Sequence, residues 1–179
     1  MKTIVSLLLL CLIALPLAAQ MSSIPDQREA MKKLDFMVGQ WKGEGWHERP
    51  PGPRITFTQT ENVQKKIDGL VLLVEGKGTG NTAGKDGTVS TFEAMGVISY
   101  DDQARRYRFV TNTSEGRGGS FDLQLTERGW EWGFSIPQGG RVRYTMKLTD
   151  DGQWYETGEF SQDEKTWRRF HEMTLRRMP

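Results

Sequence analysis

The sequence has almost no cysteine and almost no histidine. Its 179 residues include one cysteine, Cys11, and two histidines, His47 and His171. Cys11 lies in an N-terminal apolar segment that we expect to be removed, so the mature chain would have no disulfide, no thiolate nucleophile and no cysteine-ligated zinc. A Gly-x-Ser-x-Gly motif is also missing, and two imidazoles offer few bases to activate a serine. We therefore do not expect a hydrolase, and an enzymatic role is less favoured than a non-enzymatic one.

The sequence also lacks an excess of charge of one sign. Lysine and arginine total 24 residues against 23 aspartates and glutamates, which gives a formal net charge of +1. A near-neutral chain gives no electrostatic reason to expect nucleic acid as a partner. The length suits one domain with a substantial core and is too short for two ordinary domains.

Only one long apolar run is present, over residues 4–17, between Lys2 and the small residues Ala18 and Ala19. This pattern is typical of a secretory signal peptide. We predict a signal peptide over residues 1–20, export to the periplasm or the exterior, and a single mature domain over residues 21–179. The run is short for a membrane-spanning helix and lacks a basic stop, so we expect no transmembrane anchor in the mature chain.

The mature chain begins with a predicted amphipathic helix over residues 25–37, which Gly39 ends. Beyond it, glycine, asparagine, aspartate and proline interrupt the chain about every dozen residues, and the apolar pattern alternates with period two. This pattern predicts about ten strands, at residues 40–48, 54–64, 69–78, 89–100, 105–113, 119–127, 130–136, 141–149, 153–161 and 166–176.

Most of the predicted connections have hairpin length, which favours a meander of neighbouring antiparallel strands. The first strand carries the motif Gly39-x-Trp41 and the last ends at Arg176 and Arg177. If the last strand pairs with the first, an arginine can stack on Trp41 and close one end of a barrel. We therefore predict an all-β, about ten-stranded antiparallel up-and-down barrel with one short N-terminal helix.

Alternation in the later strands places many aromatic side chains on one inward face. A barrel of this strand number can leave room for a bound molecule. We predict that a small apolar or aromatic ligand binds to Tyr107, Phe109, Trp130, Trp132, Tyr144, Trp154 and His171. The alternative is a solid barrel, in which these side chains fill the core and a structural or partner-binding role falls to the loops at 81–87 and 115–119.

The first strand places Trp41, Gly43, Gly45 and His47 on one face. Two inward glycines indicate either free space in the lumen or bends at a barrel corner. Because Trp41 and the helix would close one end, we expect a ligand to enter at the other end, near the loops after His47 and before Trp154.

Strand pairing predicts a row of polar side chains. A hairpin over residues 161–165 sets Glu156 opposite His171, and pairing of Trp41 with Arg177 sets His47 opposite His171. His47, His171 and Glu156 would then be close enough to hold a metal ion such as zinc or non-haem iron. The alternative is a hydrogen bond between Glu156 and His171 in the wall, with His47 solvated at the rim.

Three segments resemble a known family. LDFMVGQWKGEGW at 34–46, FEAMGVISYDDQARRYRFVTNTSEG at 92–116 and FHEMTLRR at 170–177 are similar to the bacterial domain of unknown function 1579, a calycin-like family. The most specific part is the Phe-x-x-x-Gly-x-x-x-Tyr-Asp run at 92–101. The resemblance covers nearly the whole mature chain and implies a lipocalin-like barrel with a small-ligand role, without an assigned activity.

The first strand also resembles the opening Leu-x-x-x-x-Gly-x-Trp-x-Gly-x-Gly of nitrobindin-like haem barrels, whose last strand contains a haem-ligating histidine. An ungapped match places that ligand at Phe170, whereas a slip of one residue places it at His171. The resemblance therefore implies haem as an alternative ligand, with His171 as the residue that would hold it.

Overall fold

A computed structural model describes residues 24–83, 89–137 and 139–179. The predicted signal peptide, most of the loop at 81–87, and Gln138 lie outside the described residues. Within them the chain forms one α-helix, one short 3₁₀-helix and ten strands: α1 Ile24–Lys32, the 3₁₀-helix Asp35–Met37, β1 Gly39–Glu48, β2 Arg54–Lys66, β3 Val71–Ala83, β4 Val89–Asp101, β5 Arg106–Thr113, β6 Gly118–Leu125, β7 Gly129–Ser135, β8 Arg141–Leu148, β9 Trp154–Ser161 and β10 Arg168–Arg177.

The ten described strands form a closed antiparallel barrel in which each strand pairs with the next and β10 pairs with β1. This confirms the predicted all-β barrel with one short helix. Pairing along the whole circumference leaves no free edge, which is what closure of a meander achieves. No helix in the described part of the chain is long and apolar enough to cross a membrane.

The predicted helix over 25–37 is shorter than expected, because α1 ends at Lys32 and a separate 3₁₀-helix follows. At the break, the amides of Lys33 and Leu34 bond to carbonyls three residues earlier, at 3.2 and 3.0 Å. Such tighter bonds are common at helix ends. The turn allows Met31, Leu34 and Met37 all to enter the core, where each is at most 1% exposed.

The seam between β1 and β10 has the predicted register. Trp41 lies opposite Arg177 and His47 lies opposite His171. The guanidinium of Arg177 stacks over the Trp41 ring at 4.1 Å from its centroid and donates to the carbonyls of Phe36 and Val38. Gly39 has a positive φ of 134°, and a Cβ there would lie 2.5 Å from the Arg177 guanidinium. Arg177 thus joins the 3₁₀-helix to the first and last strands of the sheet, where the barrel closes.

The pairing of β9 with β10 differs from the prediction by two residues. The hairpin shifts the register by one residue, so that Phe160 lies opposite Arg168, and a β-bulge between Arg169 and His171 adds one more by making Phe170 an extra residue. From there on His171 lies opposite Gly158, and Glu156 lies opposite Met173. A total shift of two keeps the side chains of this part of the ladder on their predicted face, since side chains alternate with period two.

Candidate functional site

The interior of the barrel divides into two regions along its axis. The "closed end" is the buried cluster around α1 and the 3₁₀-helix, formed by Met31, Leu34, Met37, Trp41, Tyr107, Trp130 and Trp154. The "open half" lies toward the other rim. Its inward surface is formed by Phe57, Gln59, Glu61, Phe109, Phe121, Trp132, Tyr144, Glu156 and His171.

Three predicted ligand-binding residues, Tyr107, Trp130 and Trp154, belong to the closed end. The Tyr107 hydroxyl donates to the Ala30 carbonyl at 2.7 Å, and Trp130 Nε1 contacts Met37 Sδ at 3.2 Å. Both polar atoms are therefore satisfied by residues of α1 and the 3₁₀-helix. The rings of Tyr107 and Trp130 pack the core, and a ligand contact at these two residues stays a prediction.

Trp154 marks the boundary between the two regions. Its ring meets Trp41 edge-on with centroids 5.6 Å apart, while its Nε1 donates to Glu156 Oε2 at 3.0 Å. Since the ring is 2% exposed, Trp154 forms a floor beneath the open half and positions Glu156 above it.

An aromatic wall lines the open half. The Trp132 ring stacks on Tyr144 at 4.9 Å with an interplanar angle of 11°. Phe109 meets the same indole edge-on at 5.1 Å, and Phe121 lies 4.8 Å from it. All four side chains face inward, yet all are only half-buried. Their inward placement confirms the predicted alternation, and their role in binding stays a prediction.

His171 lies beside this wall, between Phe57 and Tyr144. Its ring is stacked with Phe57 at 5.6 Å and meets Tyr144 edge-on at 6.1 Å. Burial, followed by the nearby His47, lowers the pKa of His171 to about 4. Neither ring nitrogen forms a hydrogen bond within the described residues. His171 is therefore a neutral imidazole with both nitrogens free.

Two carboxyl groups lie deep in the open half. Gln59 donates to Glu61 Oε1 at 2.7 Å, and burial raises the pKa of Glu61 to about 7 against the effect of that bond. Burial and then the charge of Glu61 raise the pKa of Glu156 to about 8. Burial disfavours the charged form, and two neighbouring carboxylates repel each other. The pair therefore retains protons at neutral pH.

The predicted metal site is absent from the described residues. The observed pairing of β9 with β10 places Glu156 two residues from the position opposite His171, outside the row that contains His47 and His171. No group of three histidine, cysteine, aspartate or glutamate side chains in the described part of the chain could hold a metal ion. The predicted opposition of His47 and His171 is confirmed. Glu156, the predicted third ligand, lies two residues from the position opposite His171.

The inward glycines do not leave empty space, as one reading of the sequence expected. A Cβ on Gly43 would lie 1.9 Å from the Thr174 carbonyl oxygen, and a Cβ on Gly45 would lie 2.7 Å from the Phe57 ring. Gly43 thus accommodates the backbone of β10, and Gly45 accommodates a large side chain from β2. Close approach, rather than a void, explains these positions.

Water nevertheless reaches polar atoms in the open half. Several inward polar atoms lack a hydrogen-bond partner among the described residues, including Tyr144 Oη, Glu61 Oε2 and both nitrogens of His171. Yet Arg143 Nε is the only side-chain nitrogen or oxygen in the described residues that is both unpartnered and sealed from water. The free atoms therefore border a space that water or a ligand can occupy.

The loops at the open rim meet across it. Arg49, in the β1–β2 loop, donates to both carboxylate oxygens of Glu115 in the β5–β6 loop at 3.0 and 3.1 Å. The strands β3 and β4 separate these loops on one side and β7 to β10 on the other, so this ion pair bridges the opening. The loop before Trp154 lies at the opposite, closed end, which corrects half of the predicted access route.

Two depressions on the outer surface are weaker candidates. One, of about 410 Å³, lies beside α1 and the β2–β3 turn, and the other, of about 450 Å³, lies outside β3, β4 and β5. Their charged residues already pair with one another, as in Arg28–Asp68 and Lys77–Glu93. The lumen is where unpaired polar groups and aromatic faces meet.

Sequence reasoning missed Phe57, Gln59 and Glu61. These residues alternate along β2 with Thr58 and Thr60, so period two alone places them on one face together. A glutamine and a glutamate at inward positions interrupt the apolar pattern, and that interruption is the signal that could have found them.

The chain is similar in fold to solved structures. It superimposes on the crystal structure of Rv2717c from M. tuberculosis with a TM-score of 0.57 and 12% sequence identity, covering 84% of this chain and 98% of that one. No protein family matches the chain, and no curated protein matches it. The similarity supports the barrel fold and leaves the ligand open.

Proposed function

We propose that this protein is a non-enzymatic barrel that binds a small, largely apolar or aromatic molecule in the open half of its lumen. One observation is central: half-buried aromatic rings and unpartnered polar atoms border the same interior space. A folded protein normally fills its core and satisfies buried polar groups. Concave apolar surface with a few convergent polar groups is typical of a ligand site.

Trp132 and Tyr144 would contact the apolar body of the ligand, since their stacked rings form the centre of the wall. Export of the protein, a single domain over residues 21–179 and membership of the domain of unknown function 1579 family agree with this role and stay predictions.

The test uses N-phenyl-1-naphthylamine, an uncharged dye whose fluorescence rises when it leaves water. We expect saturable binding to the folded protein at a 1:1 ratio, and about tenfold weaker binding to Trp132→Ala, because an interior aromatic contact is lost. Trp46→Ala is the matched control. Trp46 lies on the outer wall, where Arg54 stacks over its ring at 3.6 Å.

Binding to Trp46→Ala should equal binding to the unmodified protein. Absence of saturable binding, or equal losses in the two tryptophan variants, would contradict a site in the open half. Circular dichroism of each variant would first establish that the barrel is folded.

Haem is a second candidate, favoured by one observation: His171 is inward, neutral and unpartnered, as an imidazole must be to coordinate iron. A second observation opposes it. A ligating histidine almost always donates its other N–H to an acceptor, and His171 has no such partner among the described residues. If haem binds, His171 would hold it, and haem would supply the redox or gas-binding chemistry.

A haemin titration tests this candidate. A stoichiometric Soret band that is lost in His171→Ala and kept in His47→Ala would establish haem ligation. Absence of the band in the unmodified protein would remove haem and leave the apolar-ligand proposal unaffected.

A further inference from the structure

The open half contains two buried carboxyl groups that no cation in the described part of the chain pairs with, since the arginines whose charge reaches Tyr144, Arg49 and Arg117, pair with Glu115 at the rim. Glu61 is 9% exposed, and Glu156 faces the lumen beside Met173 and Met146. Neither forms an ion pair with any lysine, arginine or histidine of the described residues, in contrast to Glu159 on the outer face of β9, which pairs with Arg143 at 2.7 Å. Charged groups inside proteins are normally paired or bound to a cation.

Each carboxyl group has one oxygen held by the protein and one oxygen free. Gln59 holds Oε1 of Glu61 at 2.7 Å, and Trp154 holds Oε2 of Glu156 at 3.0 Å. These bonds fix the side chains and leave Glu61 Oε2 and Glu156 Oε1 unpartnered in contact with the lumen. The two groups also adjoin one aromatic pair, because Glu61 lies opposite Trp41 and the Trp41 ring meets Trp154, which holds Glu156. Two fixed acceptors thus border one space.

Independent polar and aromatic groups adjoin the pair. The Tyr144 hydroxyl has no hydrogen bond within the described residues and is close enough to Glu156 for the carboxylate charge to act on it. Trp132 stacks on the same tyrosine. A cation near the carboxyl pair would therefore also lie near aromatic faces, which attract positive charge.

We propose that the ligand carries one protonated amine on an aromatic or apolar body, with the ammonium group between Glu61 and Glu156 and the body against Trp132 and Tyr144. This inference rests on the proposed function and names its ligand class. An ammonium group has three donors and no acceptor, so it matches the two free carboxylate oxygens and the Tyr144 hydroxyl. A cation would stabilise the ionised forms of Glu61 and Glu156, whereas an anionic ligand would be repelled by either ionised form and an uncharged one would leave the pair holding its protons.

Three small probes of the same shape test the charge preference: 2-phenylethylamine, uncharged 2-phenylethanol and anionic phenylacetate. Isothermal titration of the unmodified protein should give binding of the amine at least about tenfold tighter than binding of the alcohol, and no measurable binding of phenylacetate. Glu156→Gln and Glu61→Gln should each weaken the amine by about tenfold and leave the alcohol within about threefold.

Glu159→Gln is the matched control, because it removes a carboxylate from the outer face of the same strand β9. It should leave the affinity for all three probes unchanged. The comparison of the three probes on the unmodified protein needs no variant, so it stands even if one substitution disturbs folding.

Equal affinity for amine and alcohol, tighter binding of phenylacetate, or an unchanged amine affinity in both glutamine variants would overturn the inference. If the amine and the alcohol bind equally, or if phenylacetate binds more tightly, the probes still bind and the proposed function stands. If neither these probes nor N-phenyl-1-naphthylamine binds, the proposed function fails together with the inference.

Discussion

The two halves of the barrel interior contain similar side chains in opposite states. Trp130 and Trp132 are two residues apart on β7 and both face inward. Trp130 is 5% exposed, and its Nε1 contacts Met37, whereas Trp132 is half-buried and its Nε1 has no partner in the described residues. The closed end resembles an ordinary protein core, and the open half resembles a binding site. Side chains point inward in both regions. The regions differ in whether the polar atoms of those side chains have hydrogen-bond partners.

The largest expected difference between the regions is in stability. Trp130→Ala should lower the free energy of unfolding by about 3–5 kcal/mol, as truncation of a packed aromatic residue does. Trp132→Ala should cost clearly less, because its ring is only partly covered. Urea denaturation of the two variants measures this contrast. Equal costs would show that the open half is packed as tightly as the closed end.

A smaller loss of stability is expected at Arg177, which links the closed end to the seam between β1 and β10. Arg177→Ala removes the stacking on Trp41 and two hydrogen bonds to the helix segment. We expect a loss of about 1–2 kcal/mol in the free energy of unfolding. Arg176→Ala is the control, because Arg176 precedes Arg177 in the same strand and makes none of these contacts. A loss of equal size in both variants would refute the role assigned to Arg177.

The carboxyl pair makes the open half sensitive to pH. Folding raises the pKa of Glu156 to about 8 and that of Glu61 to about 7 from a usual 4.5, so the folded protein holds more protons than the unfolded chain. Stability should therefore fall as pH rises toward 8, by at most about 1.4 kcal/mol per pH unit for each proton. Tyr144, His171 and His47 are the other titratable groups that face this region.

His171 has the opposite effect at lower pH. Its pKa is lowered from 6.5 to about 4, so its contribution to stability grows as pH rises between these values and is complete above 6.5. Unfolding measured between pH 6.5 and 8 thus isolates the carboxyl pair. Glu156→Gln should flatten the decline in stability over that interval. An equally steep decline in Glu156→Gln would contradict the assignment.

The smallest effect concerns the rim of the open half. Glu115→Gln breaks the ion pair with Arg49 that bridges the opening. The residues are exposed, so stability should change by less than about 0.5 kcal/mol, while association and dissociation of N-phenyl-1-naphthylamine should both become faster. Stopped-flow fluorescence measures the two rates. Glu164→Gln, which breaks an exposed pair with Arg141, should leave them unchanged.

Much of the fold could be predicted because period-two alternation and hairpin turns are local signals. The single contact between Trp41 and Arg177 then set the seam, and with it the opposition of His47 and His171. The pairing of β9 with β10 could not be predicted, since neither the register set by the hairpin turn nor the bulge at Phe170 follows from hairpin length. The turn shifts the register by one residue and the bulge by one more, and together they separate Glu156 from His171.

The division of the lumen into a closed end and an open half could not be predicted from the sequence. Alternation placed Tyr107 and Trp130 with Trp132 and Tyr144 on one face, but it could not tell which of them the helix segment covers. That depends on where Met31, Leu34 and Met37 enter the barrel, which is a property of the tertiary structure. The polar residues Gln59 and Glu61 were available in the sequence and needed only the same alternation applied to β2.

The central claim is that a small molecule binds in the open half and not in the closed end. Intermolecular NMR contacts between bound N-phenyl-1-naphthylamine and the tryptophan and tyrosine ring protons test it directly. We predict contacts to Trp132 and Tyr144 and none to Trp130 or Tyr107. Contacts to Trp130 and Tyr107, or contacts only to outer residues such as Trp46, would contradict it.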